Sequence, residues 1–448
     1  MASSITNVTY PSISTAPVRL APHAKSTRGK PSHGDEQLHR LNGAHGGPRV
    51  ALYSHDTMGL GHLRRNLLIA KTLSGTPLNA TNLLITGAHE ANFFRLPDRS
   101  DCLTLPRLKK NGSGDYAAGQ LDISRDDLTE LRARSICSSL EVFRPDVFIV
   151  DKVPTGAFHE LVPALEMLAR GRGTKCVLGL RDILDDPISV RRECLNAQNL
   201  SAIEHYYDAI WVYGDAKVYD PVAEYALPEP IARRLQFTGY IDQSGRVGVA
   251  EAKTIRLLDS IAERGPIVAC LVGGGQDGAL IARTFIDAMP DRGRVGVVVT
   301  GPFMTPAEMD VLAEMAAERS NIHLMDFVPE ADLLIERAER VVAMAGYNTV
   351  CSLLSFGKKA LLVPRVYPRA EQLIRAERLQ QLGFVDMLTP TELTIDNMRR
   401  WILQDYQQPR CVRGAIDFKG LATLTGLTRD LVEHRATAKS PISLPATA

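Results

Sequence analysis

The sequence predicts an α/β protein that is built from two doubly wound halves. Three observations indicate this class: short runs that are apolar throughout, longer segments with helical periodicity between them, and a break between two such series near residue 240. Runs that are apolar at every position are typical of parallel strands buried on both faces. A chain of 448 residues is long enough for two such halves, each with its own core.

The first series predicts five parallel strands and the helices that connect them. A helix over Leu63–Leu73 places Leu63, Leu67 and Ala70 on one face, and a second helix is predicted over Asp126–Phe143. The predicted strands are Val50–Tyr53, Leu83–Thr86, Val147–Val150, Cys176–Leu180 and Ile210–Val212.

The second series repeats the alternation after Tyr240 and ends in a terminal helix over Ile416–Glu433. Its predicted strands are Ile267–Val272, Val295–Thr300, Ile322–Leu324, Val341–Met344 and Ala360–Val363. Its predicted helices are Gly278–Ala288, Ala307–Arg319, Ala331–Arg337, Thr349–Phe356 and Glu371–Leu382.

These series predict a first Rossmann-like domain over residues 49–240 and a second over residues 241–435. Residues 1–48 are rich in Ser, Thr, Pro, Gly and His, which predicts a disordered tail; a transit peptide is the alternative. Residues 436–448 are predicted to be a short terminal tail.

Composition excludes several classes of function. A formal net charge of +1 gives no reason to expect nucleic acid as a partner. The 7 cysteines are scattered and never in CxxC spacing, which favours free thiols in a reducing, cytoplasmic setting. No apolar run approaches the roughly 20 residues that a membrane-spanning helix needs.

Ligands of open parallel sheets bind beyond the carboxyl ends of the strands, and two such domains predict a site in the cleft between them. The loop after the first strand is SHDTMGLGHLRRN, in which Gly59 and Gly61 allow a sharp turn. His62 then falls at a helix start, where it would be a general base or a donor to a phosphate or sugar hydroxyl; a capping role is the alternative. Arg64 and Arg65 are weaker candidates for contact with an anion.

Charged residues also follow two later strands of the first half. Asp151 and Lys152 end the run FIVDK, and Arg181 ends LGLR. On the rim of the sheet they are candidates for acid/base groups or for contacts to an acceptor, and a salt-bridged loop is the alternative reading.

The second half carries two glycine-bearing turns between strand and helix. Gly273, Gly274 and Gly275 lie in VGGGQDGA, and Gly346 lies in MAGYNTV. Backbone amides at such turns cradle phosphates, so two turns in one domain suit a diphosphate.

Side chains near these turns extend the predicted site. Asn348 or Thr349 can cap the helix that follows Gly346. Glu371 and Gln372 begin a later helix, where they would contact sugar hydroxyls or simply cap the helix. The sequence contains no HExxH motif and no His/Cys cluster, so we expect no required metal or cofactor.

Several of these segments together resemble a known family. GGGQDGA, MDFVPEADLLIERAERVVAMAGYNTVCSLLSFGKKALLVPR and EQLIRAERLQQLG follow one another over roughly residues 265–385. They resemble the C-terminal domain of GT-B glycosyltransferases that include the peptidoglycan N-acetylglucosaminyl transferase and the monogalactosyl-diacylglycerol synthases. GLGH is similar to the glycine turn and histidine of their first domain, and the whole chain resembles a bacterial group of predicted glycosyltransferases.

The resemblance implies a GT-B fold, with two Rossmann-like domains facing across a cleft. It implies inverting, metal-independent transfer of a hexose-type sugar from a nucleotide-diphosphate sugar, usually a UDP-sugar, to an acceptor hydroxyl. His62 would lie near the reacting centre, as base or as support for the leaving diphosphate. The residues implied for the donor are Gly273 to Gln276 at the diphosphate or sugar, Phe327 and Val328 beside the base, Gly346, Asn348 and Thr349 at the phosphates, and Glu371 and Gln372 at the sugar; Gly59 and Gly61 complete this set.

Two positions depart from the family pattern. Ser352 stands where the family has an acid that grips the ribose hydroxyls, and loss of a charged hydrogen bond is worth about 1.5–3 kcal/mol. Arg375 replaces the family's common asparagine. Because of Ser352, a non-catalytic nucleotide-sugar-binding protein stays as an alternative. A nucleotide-sugar hydrolase is a second alternative, since GLGHLRRNLLIA also resembles the glycine turn of the UDP-sugar hydrolase of pseudaminic acid synthesis. The acceptor, a lipid or a glycan, is open, and a lipid acceptor would bring peripheral contact with a membrane.

Overall fold

The first half of the chain forms a seven-stranded sheet in the order β3-β2-β1-β6-β7-β8-β9, with every neighbouring pair parallel. Two further short strands, β4 and β5, form a separate antiparallel hairpin. The strands are β1 (Arg49–Ser54), β2 (Thr81–Thr86), β3 (Ser100–Thr104), β4 (Leu108–Lys110), β5 (Tyr116–Ala118), β6 (Val147–Asp151), β7 (Lys175–Arg181), β8 (Ala209–Tyr213) and β9 (Leu235–Phe237).

These coordinates are those of a computed structural model. It describes residues 46–55, 61–110, 116–119, 121–171, 173–249, 252–326, 328, 331–405 and 412–438. The predicted tails lie outside the described residues over 1–45 and 439–448, and so do the predicted site residues Gly59 and Phe327.

Helices cover the first sheet and connect its strands. Three 3₁₀ or π segments interrupt the loops of this half, at His89–Phe93, Ala157–His159 and Val190–Cys194. The helices are α1 (Gly61–Ser74), α2 (Arg125–Phe143), α3 (Val162–Gly171), α4 (Pro187–Ser189), α5 (Ala197–Tyr206), α6 (Pro221–Tyr225) and α7 (Glu229–Ala232).

The second half forms a six-stranded parallel sheet in the order β12-β11-β10-β13-β14-β15. Its strands are β10 (Ile267–Leu271), β11 (Val295–Val299), β12 (Ile322–Met325), β13 (Arg340–Ala343), β14 (Lys359–Leu362) and β15 (Asp386–Met387). Its helices, after a 3₁₀ turn at Ser244–Val249, are α8 (Ala252–Ala262), α9 (Ala279–Ala288), α10 (Pro306–Ala317), α11 (Ala331–Arg337), α12 (Tyr347–Ser355), α13 (Glu371–Gln381), α14 (Ile395–Leu403) and α15 (Gly420–Ala438).

The predicted fold class is confirmed, and all ten predicted strands are present within one or two residues of the expected bounds. The strands that the sequence did not indicate are short or lie at sheet edges. β3 reads SDCLT, with mixed polarity, because an edge strand has one side open to solvent. β9 and β15 have three and two residues, too few to show any periodicity.

The two halves are joined by buried polar contacts. Arg375 of α13 donates to both carboxylate oxygens of Asp182, at 2.7 Å for the shortest contact, and Tyr240 donates to the same carboxylate at 3.0 Å. The Tyr347 hydroxyl donates to the carbonyl of Tyr213 at 2.8 Å. The last helix, α15, runs back to pack against α1 and β6 of the first half. These contacts hold the carboxyl edges of both sheets along one cleft.

Candidate active site

A cavity of about 270 Å³ lies between the two sheets. Its walls come from the loops that follow strands in both halves, as expected for ligand sites of parallel sheets. The predicted site residues that line it are Gly61, His62, Arg64, Arg181, Gly273, Gly274, Val328, Gly346, Asn348, Thr349 and Ser352.

The predicted acid–base pair is brought together in the first half. His62 is the second residue of α1, and its Nδ1 lies 3.0 Å from Oδ2 of Asp151, the last residue of β6. The strands that carry these residues are neighbours in the sheet, because β1 pairs with β6. Asp151 is buried. When Nδ1 carries the proton, it donates a hydrogen bond to this carboxylate, and Nε2 is then the nitrogen with a free lone pair.

Arg65 completes this centre, and the sequence had indicated it only weakly. Its guanidinium donates to Oδ2 of Asp151 and lies 3.0 Å from Nδ1 of His62. Its Cζ lies 5.4 Å from the ring centres of both Tyr213 and Tyr347, so one buried cation contacts an aromatic ring from each half.

Charge dominates the protonation state of Asp151. Burial opposes ionisation of this carboxyl, but the charges of Arg65 and His62 outweigh burial and hold its pKa well below the usual range. Asp151 is therefore an anion at any physiological pH, suited to orient His62 and to stabilise its protonated form.

A second histidine lies close to His62. The ring centres of His55 and His62 are 5.4 Å apart. Burial, followed by the charge of His62, lowers the pKa of His55 to about 3, so His55 is neutral at physiological pH. The sequence reasoning did not single out His55, although it follows the first strand directly.

The glycine turns of the second half face this centre. Gly346 precedes α12, and a Cβ built on it would meet no atom within 4 Å, so its surroundings are open. Asn348 donates through Nδ2 to the carbonyl of Gly61 at 2.8 Å, which ties the start of α12 to the start of α1. Gly273 has φ of +65°, a left-handed conformation that favours glycine.

Gly275 and Gln276 do not line the cavity. A Cβ on Gly275 would lie 2.4 Å from the carbonyl oxygen of Thr300, so close backbone packing explains this glycine. The Gln276 side chain is exposed.

The Ser352 region contains an acid that the sequence reasoning missed. The Ser352 hydroxyl donates to Oδ1 of Asp332, a buried residue in the first turn of α11 that also lines the cavity. Arg64 donates to Oδ2 of the same carboxylate at 2.9 Å, and Nη1 of Arg246 lies 3.8 Å from it. A carboxylate therefore lies next to Ser352 on the cavity wall, although position 352 itself carries none.

Glu371 and Gln372 begin α13 but do not line the cavity. Glu371 pairs with Nη2 of Arg365 at 2.8 Å, and Oε1 of Gln372 accepts from the backbone N–H of Arg365 at 3.2 Å. Both side chains are buried and are used to hold the loop between β14 and α13.

Two features of the described residues concern metal binding and membrane-spanning helices. No group of three or more His, Cys, Asp or Glu side chains comes together there in a way that could hold a metal ion. No helix in the described ranges is both long and apolar enough to cross a membrane.

Comparison with known proteins identifies the class. Residues 270–411 match the glycosyltransferase family 28 C-terminal domain, which confirms the resemblance found in the second half. This match, together with two parallel sheets around a cleft, makes the chain a glycosyltransferase of the GT-B fold.

The most informative relatives cover the chain to different extents. A protein of Methanosarcina acetivorans named as an uncharacterized glycosyltransferase is 24% identical over 362 residues, or 77% of this chain and 87% of that protein. The UDP-N-acetylglucosamine–N-acetylmuramyl-(pentapeptide) pyrophosphoryl-undecaprenol N-acetylglucosamine transferase of Vibrio parahaemolyticus is 22% identical over 173 residues, 38% of this chain and 49% of that protein. The structure of the calicheamicin glycosyltransferase CalG4 superposes with a TM-score of 0.51 at 16% identity, covering 87% of this chain and 96% of that one.

Proposed function

We propose that this glycosyltransferase moves a hexose-type sugar from a UDP-sugar to an acceptor hydroxyl, with inversion at the anomeric carbon and without a required metal. The observation that carries the proposal is the contact of His62 with the buried Asp151, because His62 lines the same cavity as the glycine turns of the second half. The donor class is further supported by the N-acetylglucosamine transferase relative, whose name includes a UDP-sugar.

In this mechanism Nε2 of His62 takes the proton of the acceptor hydroxyl. The acceptor oxygen forms a bond to the anomeric carbon while the bond from that carbon to the phosphate oxygen breaks, and its electron pair leaves with UDP. Asp151 and its negative charge stabilise the protonated His62 during this step. Positioned general bases contribute about 10²–10⁴-fold to such reactions.

The leaving diphosphate would lie at the start of α12. A helix N-terminus presents free N–H groups and a partial positive charge of about half a unit. Gly346 leaves room there, and Thr349 lines the cavity beside it. This arrangement supplies the positive field at the oxygen where negative charge develops in the transition state.

The ribose of the donor would bind at Asp332 and Ser352. Together these side chains offer a carboxylate and a hydroxyl within hydrogen-bonding distance of one another, on the wall of the same cavity. A carboxylate on α11 would therefore take the place of the acid that the family carries on the helix after Gly346.

The test begins with binding, since it needs no acceptor. We expect UDP and UDP-sugars to raise the melting temperature more than the diphosphates of guanosine, adenosine, cytidine and thymidine. Equal or absent stabilisation by all nucleotides would contradict the donor assignment.

Turnover separates transfer from hydrolysis. UDP-sugars incubated with the protein alone should release sugar only slowly, and extracts that contain lipid or glycan acceptors should accelerate UDP release. Fast, stoichiometric release of free sugar without any acceptor would instead indicate a nucleotide-sugar hydrolase.

A further inference from the structure

Two basic residues lie side by side on the rim of the first sheet, next to the His62–Asp151 pair. Lys152 follows β6 directly and Arg181 ends β7, and these strands are neighbours with Asp151 opposite Gly179. The backbone N–H of Lys152 donates to the carbonyl of Gly179 at 2.8 Å. Lys152 has φ of +70°, a conformation that non-glycine residues adopt rarely and that clusters at functional sites.

Neither side chain has a carboxylate partner or a hydrogen-bond acceptor among the described residues. Nε of Arg181 is buried without a partner, and the Arg181 side chain lines the cavity. The N–H donors of its two Nη groups are therefore the ones available to a ligand.

The carboxylates of this rim that form ion pairs do so with other arginines, and Oε2 of Glu371 is buried without a hydrogen-bond partner. Arg369 pairs with Asp185 at 2.9 Å and with Glu193 at 2.5 Å. Arg365 pairs with Glu371 at 2.8 Å and with Asp277 at 3.3 Å. Within the part of the chain that the structure describes, the half-buried side chains of Lys152 and Arg181 form no ion pair, whereas Arg365 and Arg369 do. The charge of Glu371 acts on both of them without a direct contact.

This arrangement is unfavourable for the unliganded protein. Burial, and then the charge of Arg181, lowers the pKa of Lys152 to about 8. Burial, and then the charges of Arg375 and Arg65, lowers the pKa of Arg181 as well. Buried unpaired charges destabilise a fold, and groups kept at such a disadvantage are typical of functional sites.

We propose that Lys152 and Arg181 form a subsite for an anionic group, a phosphate or a carboxylate, carried by the acceptor. The acceptor assignment rests on the proposed function, since it follows from the position of the pair beside Asp151 and His62, on the half opposite the glycine turns. A planar guanidinium with an adjacent ammonium suits a phosphate or carboxylate, which accepts several charged hydrogen bonds at once. The acceptor would then be an acidic glycan or a phosphate-linked lipid or sugar rather than a neutral alcohol.

The donor's own diphosphate is the other source of such an anion, and the experiment separates the two. The protein is saturated with UDP, and inorganic phosphate is titrated in, with binding followed by ³¹P NMR line broadening and by melting temperature. The same titration is made without UDP. The variants are Arg181→Gln, Lys152→Gln and Arg181→Lys, and Arg191→Gln is the control because it removes the same charge from an exposed side chain.

We expect UDP-saturated protein to bind phosphate, with at least about tenfold weaker binding in Arg181→Gln and in Lys152→Gln and partial retention in Arg181→Lys. Arg191→Gln should behave as the wild type, and the affinity for UDP should change less than twofold in all variants. The melting temperatures of Arg181→Gln and Lys152→Gln should equal or exceed that of the wild type, because each removes an unpaired buried charge.

Two outcomes would overturn the proposal. If UDP displaces phosphate and Arg181→Gln weakens UDP itself, the pair belongs to the donor diphosphate. If neither form binds phosphate, or the variants bind it as the wild type does, the pair is not an anion subsite. Failure of UDP to bind would refute the proposed donor separately, and the titration without UDP would still decide whether the subsite exists.

Discussion

Asp151, which lies on β6, determines which nitrogen of His62 we propose as the proton acceptor. Oδ2 of Asp151 contacts Nδ1 of His62, and Arg65 donates a hydrogen bond to the same oxygen. The turn around His62 could be predicted locally, because glycine, histidine and helix start are contiguous in the sequence. The pairing of His62 with Asp151 required the strand order, which a single sequence does not contain.

Substitution of His62 by alanine should lower turnover at least about 100-fold, since a positioned base is removed. Asp151→Asn should also lower turnover, because the neutral amide cannot stabilise a protonated imidazole. UDP release is the measurement, and the exposed His89→Ala is the control. Turnover within a fewfold of the wild type in His62→Ala, with the melting temperature unchanged, would refute its role as the base.

Lys152 should leave a signature in the pH dependence of stability. Its pKa of about 8 in the folded state is below the ordinary value of 10.5, so the unfolded chain binds more protons between these values and stability rises with pH there. The charged groups that act on it are Arg181, Cys194, Glu371 and Arg369. Lys152→Met should therefore be more stable than the wild type at pH 7, and the difference should shrink between about pH 8 and 10.5.

Denaturant unfolding of the wild type and of Lys152→Met from pH 7 to 10.5 measures the difference between their free energies of unfolding. The other titrating groups are the same in both proteins, so their contributions cancel in this difference. A constant difference from pH 7 to 10.5 would show that Lys152 keeps its ordinary protonation behaviour.

At the scale of elements, two neighbouring helices together carry the polar groups that we propose for the ribose. Ser352 on α12 and Asp332 on α11 meet on the cavity wall. Counting along the helix after Gly346 detected the missing acid at position 352 but could not find its replacement, because the two positions are adjacent only in space.

Asp332→Asn should weaken UDP binding by about 10- to 100-fold, the range expected when a charged hydrogen bond of about 1.5–3 kcal/mol is lost. The same change should narrow the preference for UDP over 2′-deoxy-UDP, since the ribose hydroxyl is the group contacted. Isothermal titration gives both affinities, and Glu336→Gln, exposed on the same helix, is the matched control. An unchanged preference between the two nucleotides would place the ribose elsewhere.

The strands show what a sequence can predict about elements and where its limit lies. Nine of the ten predicted strands lie in the sheet interiors, where both faces are buried and the runs are largely apolar. The tenth, β12, is an edge strand that was indicated by its apolar residues Ile322 and Leu324. Short or edge strands such as β3 and β15 lack that constraint, and their sequences carry no pattern. Likewise, Glu371 and Gln372 occupy the predicted helix start, but their side chains serve the adjoining loop.

For the whole molecule, the departure at position 375 has a structural reason. Arg375 and Asp182 form a fully buried ion pair between the halves, supported by Tyr240 and by the carbonyl of Ala345. An asparagine at this position would carry no charge and would be too short to make these contacts. The replacement therefore concerns the junction between the halves, and no sequence pattern within one half could have indicated it.

Arg375→Asn should destabilise the protein by about 3–5 kcal/mol, because it leaves the buried Asp182 carboxylate without its counter-ion. Adding Asp182→Asn should recover part of the loss. Arg378→Ala is the control: its pair with Glu224 is partly exposed and is worth about 1 kcal/mol or less. Urea unfolding measures all four proteins, and equal losses in Arg375→Asn and Arg378→Ala would contradict a special role for the buried pair.

The hydrogen bond between Asn348 and Gly61 has a consequence for hydrolysis of the sugar donor in the absence of an acceptor. It fixes the turn proposed for the phosphates to the helix that carries the base, whether or not an acceptor is present. A bound UDP-sugar would then already lie beside an active base, and only the acceptor's own bulk would keep water out. On the proposed mechanism, this architecture would allow a slow hydrolysis of the donor, and the rate of hydrolysis relative to transfer would measure how completely each acceptor fills the cleft.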